Sequence, residues 1–450
     1  MNRLDRLGNP NPPLPHSCDP AIPVPASRMP APSASPPALI ALWQGLASGR
    51  PFASGRALDE AEISWAIATG MGPLLYAANR ETPGSVPENL LARLQAADRW
   101  ARVQHADMLD AAVAIIDRCA DRAPPLTLLK GISIGGEYYP SPYQRVLGDL
   151  DLLVEPEDAP AVAAALDELG YRPSEGPPEL DFATHHHLRP VSHPQTQICV
   201  EVHTGLFPPS LHLDEGSPFS LPVVRAERRA STLEGRRVFR LSAELQVPYI
   251  ASHWALDFVP TAAGARALLD MTLLLRGAAD RIDWSRVLGW LGDRRIAAHL
   301  HVMLSYLEAQ ALVELPPALH ASWERVAVLP PAVLRILGGM VDRYQVRGLM
   351  RSFRPPTPEP GDPPRRAAAG TLRSRLHTLR TAAADGNLRG LLEPVDRTAW
   401  ETLLCQPPTR WTRVVAAWCL LFPLGDPDRF APGRRLARRH SAVNPPRRRR

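Results

Sequence analysis

Lysine is nearly absent from this chain of 450 residues: of 51 basic residues, all but Lys130 are arginine. Arginine stands wherever either cation serves, so the single retained lysine points to a place that needs a compact ammonium rather than a planar guanidinium. Long apolar runs are missing as well. No stretch reaches the roughly 18–20 uninterrupted apolar residues of a membrane span, and residues 1–37 are rich in Pro, Asn and Ser instead of forming a charged-then-apolar leader. The five cysteines (Cys18, Cys119, Cys199, Cys405 and Cys419) are scattered without a C-x-x-C pair, which excludes a disulfide framework or a cysteine-rich zinc module. There is no internal repeat. A soluble protein of the cytoplasm is the expectation.

Positive charge is concentrated at the C-terminal end. Residues 429–450 hold nine arginines and no acid, so the preceding 428 residues sum to 5 − 9 = −4. A mildly acidic body argues against a broad nucleic-acid-binding surface. Only the arginine-rich tail is suited to touch RNA or an anionic surface.

The pattern along the chain predicts an α+β fold in six parts. Residues 1–36 read as a disordered Pro-rich arm. A helical N-terminal region spans 37–123, including a long amphipathic stretch over 87–122 with Leu90, Leu91, Leu94, Ala97, Trp100, Val103 and Leu109 on one stripe. A small mixed-sheet core spans 124–241, in which strands over 126–129 and 146–154 alternate with helices over 132–139 and 159–169. Two antiparallel strands, 185–192 and 197–207, follow, and 238–241 is a candidate last strand. A helical domain covers 242–350, with Asp283 as an N-cap. A weakly helical region covers 351–428, and 429–450 is a solvated tail.

The richest chemistry lies in Gly148-Asp149-Leu150-Asp151-Leu152-Leu153-Val154. On a strand alternate side chains share a face, so Asp149 and Asp151 project together while Leu150 and Leu152 enter a core. Two adjacent carboxylates repel, and one keeps its proton unless a cation lies between them. Hard oxygen donors of this kind suit Mg²⁺ or Mn²⁺. On the later strand Glu201 and His203 face away from Ile198, Val200 and Val202, so Glu201 can join the aspartates as a third carboxylate. A solvated strand edge is the plainer account of the acidic pair, and a structural pairing with an acid such as Glu155 is the plainer account of Arg145.

Leu129-Lys130-Gly131, Tyr138-Tyr139-Pro140, Arg145, the Gly148–Asp149–Leu150–Asp151 run and Val200-Glu201-Val202-His203 resemble, in order and spacing, the bacterial uncharacterised nucleotidyltransferase family of the DNA polymerase β-like nucleotidyltransferase superfamily. Downstream, His253, Asp270 and Ile282-Asp283-Trp284 fit the same pattern, and the likeness spans about residues 37–345. It implies a small nucleotidyltransferase sheet and two-metal catalysis. Asp149, Asp151 and Glu201 would be the catalytic metal ligands, and Lys130, Gly131, Arg145 and Gly148 would bind the nucleotide phosphates. It implies Mg²⁺ or Mn²⁺ as cofactor and an NTP donor, with ATP the default on abundance. A nucleoside monophosphate would pass to a hydroxyl or phosphate acceptor on a small molecule, peptide or protein, releasing pyrophosphate. The wider superfamily carries Gly-Ser or Gly-Gly where this chain has Gly131-Ile132-Ser133, so Ser133 is left out of the candidate site. His253 and Asp270 read as interdomain hydrogen-bonding groups. The alternative is an inactive nucleotide-binding or scaffold protein of the same fold.

The run His185-His186-His187, with His193, Cys199 and His203 nearby, invites a zinc reading. On a strand, consecutive histidines point to opposite faces, so at most His185 and His187, or His186 alone, would face one ion. The expectation is therefore that the run holds no zinc.

Overall fold

The computed structural model describes residues 58–347, apart from 82, 85, 174–184, 212, 214–216, 257–261, 293, 327–328 and 330, together with 43–45, 400 and 404. The expected Pro-rich arm, the arginine-rich tail and nearly all of 351–428 lie outside the described residues.

The N-terminal region is helical, as its periodicity predicts. Helix α1 (Glu60–Ala68) opens on a capping box in which Asp59 accepts from the Glu62 amide at 2.9 Å and Glu62 accepts from the Asp59 amide at 2.8 Å. Helix α2 (Gly72–Glu81) and the long α3 (Glu88–Cys119) follow. The expected stripe on α3 needs correction. Leu90, Leu94, Ala101, Met108, Ala112 and Ile115 are buried, whereas Trp100 and Val103 are 57% and 62% exposed. At 100° per residue Val103 falls on the far side of the helix from the buried line, and Trp100 about a quarter-turn from it.

The sheet is mixed, with strand order β3-β4-β5-β2-β1-β7-β6. Its strands are β1 (Thr127–Leu128), β2 (Leu150–Leu153), β3 (Arg172–Pro173), β4 (Val191–Ser192), β5 (Cys199–His203), β6 (Arg228–Leu233) and β7 (Arg236–Leu241). The first two are antiparallel, and β2 runs parallel to β5. Helix α4 (Lys130–Tyr138) follows β1, and α5 (Ala159–Glu168) follows β2. The chain enters β6 from the short α6 (Leu221–Glu227). The expected strand over 185–192 is shorter in fact: only Val191 and Ser192 form β4, and His187 makes a single bridge to His203.

The two faces of this sheet bury different cores. Leu150, Leu152, Val200 and Val202 pack with Met108, Ala112, Ile115 and residues of α5. Leu153 and Leu241 belong to a second, larger core shared with the N-terminal helices and the helical half. That half contains α7 (Ala243–Leu256), α8 (Ala262–Gly277), α9 (Trp284–Gly289), α10 (Arg294–Ala309), α11 (Pro317–Val326) and α12 (Pro331–Val341). Asp283 caps α9 as expected, accepting from the Ser285 and Arg286 amides. From beyond the helical half, Trp400 donates to the Ala255 carbonyl at 2.8 Å and meets Trp254 edge-on. No helix among the described residues is long and apolar enough to cross a membrane.

Candidate active site

The strand register builds the acidic centre. Asp151 on β2 lies directly beside Glu201 on β5, and Leu153 beside His203. Parallel pairing and period-two alternation put Asp151, Glu201 and His203 on one face, opposite the Leu150, Leu152, Val200 and Val202 core. Asp149 stands just before β2 and lines the same cleft, of about 540 Å³, between the sheet and the helical half. That volume suits a nucleotide-sized ligand.

One carboxylate oxygen gathers two of the cleft's donors. Asp151 Oδ1 accepts from Lys130 Nζ at 2.7 Å and from His203 Nε2 at 2.8 Å. Glu201 Oε2 stands 3.9 Å from Lys130 Nζ and 3.4 Å from His203 Nε2. The three groups Asp151, Glu201 and His203 each offer a ligand atom within 4.8 Å of the others. Burial alone would raise Asp151, but the His203 hydrogen bond and the Lys130 charge outweigh it and hold the carboxyl well below the usual range. The His203 hydrogen bond likewise lowers Glu201, against the opposing effect of burial. Burial works against a charge on His203 and on Lys130. It is overcome at His203 by the hydrogen bonds to the two carboxylates, and at Lys130 by Tyr249, Asp151 and Glu201. Asp149 goes the other way: burial first, and then the charge on Asp151, push it up to about 6.

Lys130 opens α4 with φ 45°, a left-handed conformation that is rare for a residue with a side chain. The preceding Leu129 supplies no side-chain cap, so no side chain of the N-cap residue competes for the first-turn amides. Gly131 is closely packed: a Cβ there would stand 2.8 Å from Leu147 Cδ2 and 3.3 Å from Arg145 Nη1, so those side chains would have to shift. Gly148 also lines the cleft, but a Cβ there would meet nothing within 4 Å.

Arg145 lines the cleft with its guanidinium already engaged. Nε and Nη2 each donate to Asp270 at 2.8 Å, and Nη1 donates to the Val146 carbonyl at 2.7 Å. Asp270 also accepts from Tyr139 at 2.6 Å, so it ties the sheet side to α8. Glu155 pairs with Arg225 and Arg228 instead.

Ser133 and Arg266, both in the cleft, were not among the sequence candidates. Ser133 is buried, lines the cleft, and its hydroxyl has no hydrogen-bond partner among the described residues. Arg266 lines it too. Burial, and then the charge on Arg145, push its guanidinium down to about 10. Its Nη1 donates to the Val146 carbonyl at 3.1 Å, while its buried Nε has no partner among the described residues. One sequence signal pointed there: Arg266 lies four residues before Asp270, on the same face of a helix.

The histidine run departs from its expected conformation. His185 and His186 sit in bends, not in a strand, so the alternation that would have separated the three rings does not apply. All three imidazoles offer ring nitrogens within 4.8 Å of one another, and His186 and His187 line the cleft.

Comparison with curated proteins finds no match, and comparison with solved structures finds none. The model of the family described as uncharacterised nucleotidyltransferase matches residues 59–310, a segment that takes in the capping box of α1, the acidic strands and the Arg145–Asp270 pair. With more than half its length matched, this chain belongs to the uncharacterised nucleotidyltransferase family.

Proposed function

We propose that the chain is a divalent-metal-dependent nucleotidyltransferase that moves a nucleoside monophosphate from an NTP to a hydroxyl or phosphate acceptor, with pyrophosphate as the other product. The observation that carries this reading is the side-by-side placement of Asp151 and Glu201 in parallel strands, with Asp149 in the same cleft. The donor set fits a hard cation. Burial, and then the charge on Asp151, push Asp149 up to about 6 even with Lys130 nearby, and a bound cation would favour its ionised form. Asp149, Asp151 and Glu201 would hold Mg²⁺ or Mn²⁺. When bound, such an ion neutralises triphosphate charge and acidifies an acceptor hydroxyl.

The chain's own groups do the positioning. The first-turn amides of α4 point a partial positive charge toward phosphate oxygens, with Gly131 keeping the backbone close. Lys130, the Ser133 hydroxyl and Arg266 supply further donors along the same wall. Arg145, held by Asp270, contributes positive field and a rigid wall more than a free fork. His203 keeps Asp151 ionised and fixed in place. Enclosure by the helical half removes water, which strengthens each of these interactions.

Pyrophosphate release, measured with each of the four NTPs, Mg²⁺ or Mn²⁺ and a panel of hydroxyl and phosphate acceptors that includes the protein itself, tests the proposal. Metal-dependent release should fall by about 100-fold or more in Asp151→Asn and in Glu201→Gln. Equal metal-dependent NTP binding by wild type and Asp151→Asn, with no release from either, would establish the inactive scaffold instead.

A further inference from the structure

The three consecutive histidines stand beside the carboxylate centre, and the nucleotide chemistry above makes no use of them. We propose that His185, His186 and His187 form a binding site for a borderline divalent transition-metal ion of the Zn²⁺ class, separate from the hard-cation site of Asp149, Asp151 and Glu201.

Geometry carries the inference. One nitrogen from each ring lies within 4.8 Å of the other two. The ring centroids are 6.0 Å apart for His185 and His186, 5.0 Å for His185 and His187, and 4.8 Å for His186 and His187. In a tetrahedral zinc site with Zn–N near 2.0–2.1 Å, ligand nitrogens stand about 3.4 Å apart. Small side-chain rotations close that gap. The bends at His185 and His186 are what allow neighbouring residues to converge, which an extended strand forbids.

The segment is held before any ion arrives. The His186 carbonyl accepts from the Thr204 amide at 2.8 Å and from the Gly205 amide at 3.2 Å, and the Leu188 amide donates to Val202 at 2.8 Å. His187 bridges to His203. The backbone of the run is therefore fastened along the end of β5. The tautomer of one ring is also set. His187 Nδ1 lies 2.7 Å from the Leu188 carbonyl oxygen, which can only accept, so the proton sits on Nδ1 and the lone pair on Nε2. Metal-ligating histidines show the same outward hydrogen bond to a carbonyl. His186 Nδ1 is buried and has no hydrogen-bond partner among the described residues.

Donor chemistry separates the two sites. Imidazole nitrogens favour zinc, nickel or copper strongly over magnesium, whereas carboxylate oxygens suit the hard cations magnesium and manganese. Among the described residues the site offers three nitrogens, and because His186 and His187 line the cleft, it borders the nucleotide pocket.

Full-length protein without an added polyhistidine tag, stripped of metal, is titrated with Zn²⁺ against a chromophoric chelator and separately loaded with Co²⁺ for its visible spectrum. One tight Zn²⁺ per chain and an intense tetrahedral Co²⁺ spectrum are expected. Both should be kept in Asp151→Asn, and the affinity should drop by at least about 100-fold in His186→Ala and His187→Ala. Circular dichroism identifies any variant that fails to fold, and the Co²⁺ spectrum of the wild type stands whatever the variants do. A weak octahedral spectrum would overturn the proposal. So would binding lost in Asp151→Asn but kept in the histidine variants, or an affinity no better than that of a peptide spanning 183–189. None of these outcomes touches the Mg²⁺ and NTP test, so the two readings fail separately.

Discussion

At the scale of single residues, Lys130 bears two costs at once. Its backbone is left-handed, at φ 45°, and its ammonium is largely buried against Asp151. A left-handed conformation costs an L-residue about 1–2 kcal/mol, a cost that glycine avoids. Lys130→Gly should therefore be more stable than Lys130→Ala by about 1 kcal/mol in denaturant melts, the reverse of the usual helix ranking. Both should lose activity. Lys130→Arg should lose nearly as much, because a planar fork does not replace a point charge 2.7 Å from Asp151 Oδ1. An arginine variant with normal turnover would show the lone lysine to be an accident of composition. His301 gives a pH signature remote from the site. It stacks on Trp323 at 4.6 Å, and burial, then the charge of His320, push it from 6.5 down to about 4. The folded state thus resists protonation that the unfolded chain accepts. The stability this provides is complete above pH 6.5 and is lost as pH falls from 6.5 toward 4, up to about 3 kcal/mol. Stability measured across that range should flatten in His301→Phe, which keeps the stacking and removes the titration.

At the scale of elements, α4 is set by close approach. A Cβ at Gly135 would stand 2.8 Å from Arg145 Cβ and 3.1 Å from the Pro142 carbonyl oxygen. Backbone cannot yield there as a flexible side chain can, so Gly135→Ala should cost about 1–3 kcal/mol in chemical denaturation. A neutral result would mean that α4 is free to shift, and with it Lys130. Elements whose residue types alternate cleanly were legible in the sequence. Leu150 and Leu152 against Asp151, and Val200 and Val202 against Glu201, show which face carries the carboxylates without any tertiary knowledge. The strand β6 was not legible, because Arg228, Arg229, Ser231 and Thr232 form a polar edge that buries no regular face. Trp100 and Val103 misled for a different reason: large apolar side chains on α3 fit a loose stripe while the helix turns its other side to the core. The histidine run misled because a strand was assumed where the backbone bends, and periodicity carries no record of a bend.

At the scale of the whole molecule, the cleft exists because the sheet and the helical half are fastened across it. The fastening is Arg145 to Asp270, with Tyr139 donating to the same carboxylate and Arg266 beside it. Only tertiary placement could show that this arginine spends its fork on α8. Asp270→Ala would leave the Arg145 charge buried and unpaired, and should cost about 3–5 kcal/mol in thermal or denaturant unfolding. A loss below about 1 kcal/mol would mean that solvent reaches Arg145 readily and that the halves are not joined there. The central claim is that the joined halves enclose a metal-dependent nucleotide site centred on Asp151. Its most direct test is calorimetric titration of a non-hydrolysable NTP into the wild type and Asp151→Asn, each with Mg²⁺ and with chelator. The wild type should bind at least about tenfold more tightly with Mg²⁺ than without, and Asp151→Asn should bind equally weakly in both. Wild-type affinity indifferent to Mg²⁺, or unchanged by Asp151→Asn, would contradict it.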